Sequence, residues 1–185
     1  MKTNSTGFDS RATRAPASCP VVVAVDDDED SLVLLSYIVE DLPCSLFCAM
    51  DGRAALEMIV ALQPDLVLLD VRLPGLSGFD IISSLKGSAA TAVIPVVAVT
   101  ALAGMKYQEK ILTAGFDQYV SKPYCLEDIK ATVKHYLLAC AYNGSRHQCC
   151  SDGDHNVVDI PNRSLVFTPR NWANSIEIWQ PKERF

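Results

Sequence analysis

Apolar residues gather along this chain in short runs separated by longer periodic stretches. The runs lie at Val21–Val25, Leu46–Met50, Leu66–Leu69, Pro95–Val99 and around Tyr119–Val120. The first, third and fourth are almost wholly apolar and rich in Val, which suits parallel strands covered on both faces. Between the runs, apolar positions step by three and four, the spacing that lines one face of a helix. Leu32, Leu35, Val39 and Leu42 form one stripe, Leu56, Ile59 and Leu62 a second, and Phe79, Ile82 and Leu85 a third. Ile111 with Ala114 gives a fourth, and Leu126, Ile129, Val133 and Leu137 a fifth and clearest. Turn residues punctuate the borders at Asp51-Gly52, Pro64-Asp65, Pro74-Gly75, Gly87 and Gly115. Five strands alternating with five helices predict an α/β fold with a doubly wound, five-stranded parallel sheet. Ligands of such sheets bind outside the carboxyl ends of the strands, at the topological switch point.

The ends of the chain read differently. Residues 1–19 carry Ser, Thr, Ala and Arg with no apolar period and predict a disordered leader, leaving the folded domain over 20–141. Residues 142–185 read as a C-terminal tail with no recognisable output domain, broken by Asn143-Gly144, Pro161, Pro169 and Pro181. Within it, Ile176 and Ile178 alternate with polar neighbours and would suit a short strand, while Trp172 and Trp179 are candidate anchors. His147, Cys149, Cys150 and His155 are metal-ligand types, but their spacing matches no familiar zinc site.

Charge and cysteine usage narrow the setting. The 185 residues carry a net charge of -6, and residues 21–142 hold 16 acids against 8 Lys and Arg. That balance argues against direct nucleic acid binding, and no helix-turn-helix pattern follows Tyr142. No apolar run approaches the roughly 18 residues of a membrane span, and no signal-peptide core follows the N-terminus. Seven cysteines, several inside apolar periodic segments, predict a reduced, cytoplasmic protein.

The chemistry collects at the predicted strand ends. The first strand runs into Asp26, Asp27, Asp28, Glu29 and Asp30; the third ends at Asp70, the fourth at Thr100, and Lys122 follows the fifth. Parallel strands bring these ends to one rim. Carboxylates crowded there repel one another unless a hard cation shares them, and Mg²⁺ prefers such oxygen ligands. Lys122 adds a second positive charge and Thr100 a hydroxyl, a set that can hold a phosphoryl group on a carboxylate nucleophile. Alone, each residue has an ordinary reading: a helix start, a turn acid, a strand residue, a surface charge. Their coincidence at the ends of one alternating pattern is what points to a site.

About residues 20–141 resemble the CheY-like receiver domains of two-component response regulators. The resemblance rests on Val25-Asp26-Asp27, on Leu68-Leu69-Asp70 with Arg72-Leu73-Pro74-Gly75 and Gly78-Phe79, and on Pro95 to Ala101. It closes with Gly115 to Pro123, and the spacings of 43, 30 and 22 residues between Asp27, Asp70, Thr100 and Lys122 fit the family. It implies a flavodoxin-like receiver fold and a role for each residue. Asp70 would accept a phosphoryl group from a sensor histidine kinase or phosphotransfer protein. Asp26 and Asp27 would hold Mg²⁺ with Asp70 and the backbone carbonyl of Arg72. Lys122 would contact the phosphoryl oxygens, Thr100 and Tyr119 would form the switch, and the Lys122-Pro123 bond would be cis. Ser77, where many relatives have Asp, would cap the helix starting near Gly78. The expected function is a signalling switch in a phosphorelay that acts on a downstream protein target, with phosphorylation-dependent homodimerisation as an option. The resemblance implies no enzyme beyond its own phosphorylation and dephosphorylation. The rival reading is a pseudo-receiver, a phosphorylation-independent binding module. A haloacid dehalogenase-type hydrolase would need a second Asp where Arg72 stands.

Overall fold

Val-rich segments with both faces apolar can only be satisfied in the middle of a layered sheet, and they form one here. The computed structural model describes residues 19–102, 104–142 and 164–167. Along the chain run β1 (Val21–Val25), α1 (Glu29–Val39), β2 (Ser45–Ala49), α2 (Gly52–Leu62), β3 (Leu66–Leu69) and α3 (Gly78–Lys86). They are followed by β4 (Val96–Thr100), α4 (Met105–Thr113), β5 (Gln118–Ser121), α5 (Leu126–Tyr142) and β6 (Ser164–Phe167). The sheet order is β5-β4-β3-β1-β2-β6. The first five strands are mutually parallel, as the alternation predicts, and strand order reverses between β1 and β3. The sixth strand is antiparallel to β2 and was not legible in the hydrophobic pattern. Apart from Cys19, Tyr142 and β6, the expected leader and tail, with Cys149, Cys150, Trp172, Trp179, Ile176 and Ile178, lie outside the described residues.

Because side chains alternate along a strand, each strand feeds two cores. Val23, Val25, Val67, Leu69 and Ala98 face α2, α3 and α4 and pack with Met58, Ile59, Ile81, Ile82, Leu85 and Ile111. Val22, Ala24, Leu66, Leu68, Val97 and Val99 face α1 and α5 and pack with Leu32, Leu35, Ile38, Ile129 and Val133. The helical stripes hold with corrections: in α3 Ile81 joins Ile82 and Leu85 in the core while Phe79 borders it, as Ala114 does beside Ile111. In α2 the buried face is Ala54, Ala55, Met58 and Ile59, while Leu56 and Leu62 only border the core. Alanine lets the helix sit close to the sheet, so the face is set by small residues that the larger leucines obscured. In α5, Leu126 is exposed, and the buried run begins at Ile129.

Local chemistry starts and stops the helices. Asp28, Asp51 and Ser77 are the N-caps of α1, α2 and α3, and Ser77 with Asp80 forms a reciprocal capping box. At the N-terminal rim two acids are tied to backbone amides: Asp65 Oδ2 accepts from Val21 N at 2.8 Å, and Asp117 Oδ2 accepts from Val96 N at 2.8 Å. Lys86 Nζ also donates to Asp117 Oδ2, at 3.1 Å, and to the carbonyls of Ala92 and Ile94. Among the described residues, no helix is long and apolar enough to cross a membrane.

Gly52 and Gly78 are both required by contact, and Gly78 lies against the site. A Cβ on Gly78 would lie 2.6 Å from the carbonyl oxygen of Asp70 and 2.7 Å from Cα of Val71, so α3 can abut the end of β3 only without a side chain there. Gly78→Ala is therefore expected to push α3 away from Asp70 and to destabilise the fold by about 1–3 kcal/mol, measured by urea unfolding.

Candidate functional site

Backbone hydrogen bonds, before any side chain, fix where the strand ends lie. Asp70 N donates to Val25 O at 2.8 Å, Asp26 N to Ala49 O at 3.1 Å and Lys122 N to Thr100 O at 2.9 Å. Leu69 pairs with Val25, so Asp70 and Asp26, one residue further on, stand side by side at the switch point. Both are buried, at 7 % and 2 % exposure, whereas Asp27 is exposed. Carboxylate oxygens of Asp26, Asp27 and Asp70 all lie within 4.8 Å of one another. Asp28 is drawn away from this group by its cap, where its two oxygens accept from Asp30 N at 3.2 Å and Ser31 Oγ at 2.8 Å.

Lys122 reaches into the cluster from beyond β5. Its ammonium donates to Asp70 Oδ2 at 3.0 Å, to Asp26 Oδ2, and to Ser31 Oγ at 3.5 Å. The Lys122-Pro123 bond is cis. The other Asp70 oxygen accepts from Arg72 N at 2.9 Å, and the Arg72 side chain is exposed. Thr100 is fully buried at the end of β4, where its hydroxyl accepts a long bond from Leu102 N at 3.4 Å. The Tyr119 hydroxyl donates to Leu102 O at 2.7 Å. Leu102 thus joins Thr100 to Tyr119 through its backbone. Sequence reasoning could not see this link, because any residue type would supply the same N–H and C=O. Ser31 was missed for another reason: its position beside Lys122 depends on how α1 packs.

The site holds more negative charge than one lysine neutralises, and the titration of its groups follows. Burial pushes the Asp26 carboxyl up from its ordinary value, and bonds from Lys122 and Asp28 N offset only part of that. Burial pulls Lys122 down, but the bonds to Asp26 and Asp70 outweigh it, and its net shift is upward. Both groups therefore hold protons more tightly than in the unfolded chain. Three clustered carboxylate oxygens, two from buried acids, are the donor set a hard divalent cation takes, so these residues fit Mg²⁺.

Known proteins share this fold. Residues 22–134 match the family model of the response regulator receiver domain. The polar-differentiation response regulator DivK of Brucella anthropi is 34% identical over 116 residues, covering 63% of this chain and 94% of DivK. The DNA-binding dual master transcriptional regulator RpaA of Synechocystis is 34% identical over 118 residues, 64% of this chain but only 49% of RpaA. This chain therefore spans about half the length of that relative. Among solved structures, the BeF3-activated receiver domain of DrrB superposes with a TM-score of 0.59 at 30% identity, over 65% of this chain and 99% of that one. A CheY-like receiver protein from Methanospirillum hungatei gives 0.62 at 24% identity, over 69% and 100%, and shows the fold.

The charge imbalance makes a pH-dependent prediction. Asp26 has a folded pKa above 3.8, so its ionised form subtracts stability above that folded value, and the loss is recovered as pH falls through it toward 3.8. Lys122 contributes stability fully below 10.5, which is lost as pH rises through its higher folded value. Asp26→Asn removes one charge and keeps one acceptor oxygen, for either Lys122 or Asp28 N, with its amide nitrogen in the place of the other oxygen. It should exceed wild type in stability in metal-free buffer at pH 7, with the advantage shrinking toward pH 4. Urea denaturation across that range measures it.

Proposed function

Because this chain belongs to the response regulator receiver domain family, we propose that it is a phosphorylation switch whose phosphoacceptor is Asp70. The observation that carries this reading is the buried Asp70 carboxylate at the switch point, held between Lys122 Nζ at 3.0 Å and the carboxylates of Asp26 and Asp27. An Asp70 oxygen would attack the phosphorus of a phosphohistidine on a sensor kinase or phosphotransfer protein. The new P–O bond forms as the P–N bond breaks, and the imidazole leaves with the electron pair. A Mg²⁺ ion held by Asp26, Asp27, Asp70 and the Arg72 carbonyl would supply charge neutralisation for the transferring phosphoryl. Lys122 would exchange a carboxylate partner for a phosphoryl oxygen and so hold the product.

The switch would run through Leu102. A phosphoryl group on Asp70 offers Thr100 a better hydrogen-bond acceptor, and turning that hydroxyl gives up the long bond from Leu102 N. Tyr119, bonded to the carbonyl of the same residue, would then rearrange with the loop between β4 and α4. The output would be altered binding to a downstream protein in the cytoplasm, with homodimerisation as one form of it. Residues 20–141 would suffice for this switch. RpaA is named as DNA-binding; this chain's acidic balance supports a protein partner instead.

Incubation with a small phosphodonor and Mg²⁺ should add one phosphoryl group by mass, and Asp70→Asn should abolish it. Unmodified wild type under those conditions would favour the pseudo-receiver. Saturating Mg²⁺ should also raise the melting temperature, by roughly 2.7 kcal/mol of stability at a hundredfold excess over Kd, and Asp27→Ala should lose that response. Thr100→Ala should still accept phosphate yet lose the phosphorylation-dependent change in partner binding or oligomeric state, read by size-exclusion chromatography or pull-down with and without beryllofluoride.

A further inference from the structure

The outer edge of β2 differs from the opposite edge of the sheet. Proteins protect edge strands with charge, proline, brevity or a covering segment. The β5 edge is a four-residue strand followed directly by Lys122 and Pro123. The β2 strand, Ser-Leu-Phe-Cys-Ala, has neither charge nor proline, and in the structure it is covered by β6.

The pairing can be read residue by residue. Ser45 N donates to Pro20 O and Ala49 O accepts from Asp26 N, so Ser45, Phe47 and Ala49 turn their backbone groups toward β1. The N–H and C=O groups of Leu46 and Cys48 consequently face outward. Leu46 is in register with Phe167, and Cys48 with Leu165. Outward-facing residues directly opposite in an antiparallel ladder form the hydrogen-bonded pairs, each exchanging two bonds. The segment therefore satisfies every outward backbone group of β2 between Leu46 and Cys48. Residues 143–163 separate it from α5, a link long enough to release β6 without moving the helix.

We propose that the β2 edge is a strand-addition surface, and that Ser164–Phe167 is its resident occupant, an intramolecular latch that an extended segment of the same pattern can replace. The latch is held by only four residues of pairing on one edge, so it opens far more easily than the sheet unfolds. Closed, it keeps β2 from pairing with the β2 of another copy. Open, it offers an apolar, uncharged edge that binds an antiparallel strand through its main chain.

Hydrogen exchange on the full chain tests this. In wild type, the Leu46 and Cys48 amides should be protected, independently of protein concentration. Leu165→Pro removes a donor from the Cys48 pair and should speed exchange at both amides by about tenfold or more, while the β3 and β4 amides stay protected. A labelled peptide of residues 162–169 should bind Leu165→Pro, restore that protection, and bind wild type far more weakly. Unprotected Leu46 and Cys48 amides in wild type would overturn the proposal whether or not the variant folds. Protection that falls on dilution, with a dimer by size exclusion, would show that the occupant comes from a second copy. Equal peptide binding by the two proteins, or none by the opened variant, would refute replacement of the latch.

Discussion

Three acids and one lysine crowd the C-terminal rim of the sheet, and this unbalanced charge is what the surrounding structure has to hold in place. Side-chain attraction alone would not assemble it, since the carboxylates repel and burial raises the cost of the ionised form of Asp26. The positions come from the backbone. Each of Asp26, Asp70 and Lys122 uses its own N–H to continue a strand ladder, to Ala49, Val25 and Thr100 respectively. The hydrophobic sandwich that aligns the strands thereby forces the charges together. Energy gained in burying valines and leucines on both sheet faces offsets the cost of the site.

The two rims of the sheet use the same residue type for opposite ends. At the N-terminal rim, Asp65 and Asp117 each accept a backbone amide of a neighbouring strand, and Lys86 also bonds to Asp117. Those acids are satisfied and act as staples. At the other rim, Asp26 and Asp70 also accept one amide each, from Asp28 and Arg72, but keep oxygens directed at a shared space. An acid beside a strand therefore staples two strands or keeps oxygens toward a shared space according to the rim it occupies. The backbone amides of the next strand approach one rim; at the other, the chain turns away.

Several parts of this arrangement were legible in residues alone. The Val-rich runs, the three-four stripes and the Gly and Asp punctuation sufficed for the parallel alternation, because burial on both faces leaves such segments few alternatives. Ser77 could be read as a cap from its place before Gly78 and the Phe79, Ile82, Leu85 stripe. Other parts were not legible. The buried face of α2 includes Ala54 and Ala55 beside Met58 and the predicted Ile59, and alanine's small size carries little signal in a periodic pattern. Three consecutive acids after β1 look alike by residue type; the resemblance singled out Asp26 and Asp27, and the cap geometry supplies the physical reason, drawing Asp28 into the helix start while those two approach Asp70.

By itself, the sequence determined which residues are chemically able to act and on which strand ends they sit, since pattern and spacing are properties of one dimension. Tertiary structure decided which groups meet. The Lys122 ammonium spans to both Asp26 and Asp70, Leu102 bridges Thr100 and Tyr119 through main-chain atoms, and Ser164–Phe167 closes the β2 edge. Each of these contacts depends on strand order, on helix packing or on backbone groups common to every residue type, and none of those is encoded in the identity of a single side chain.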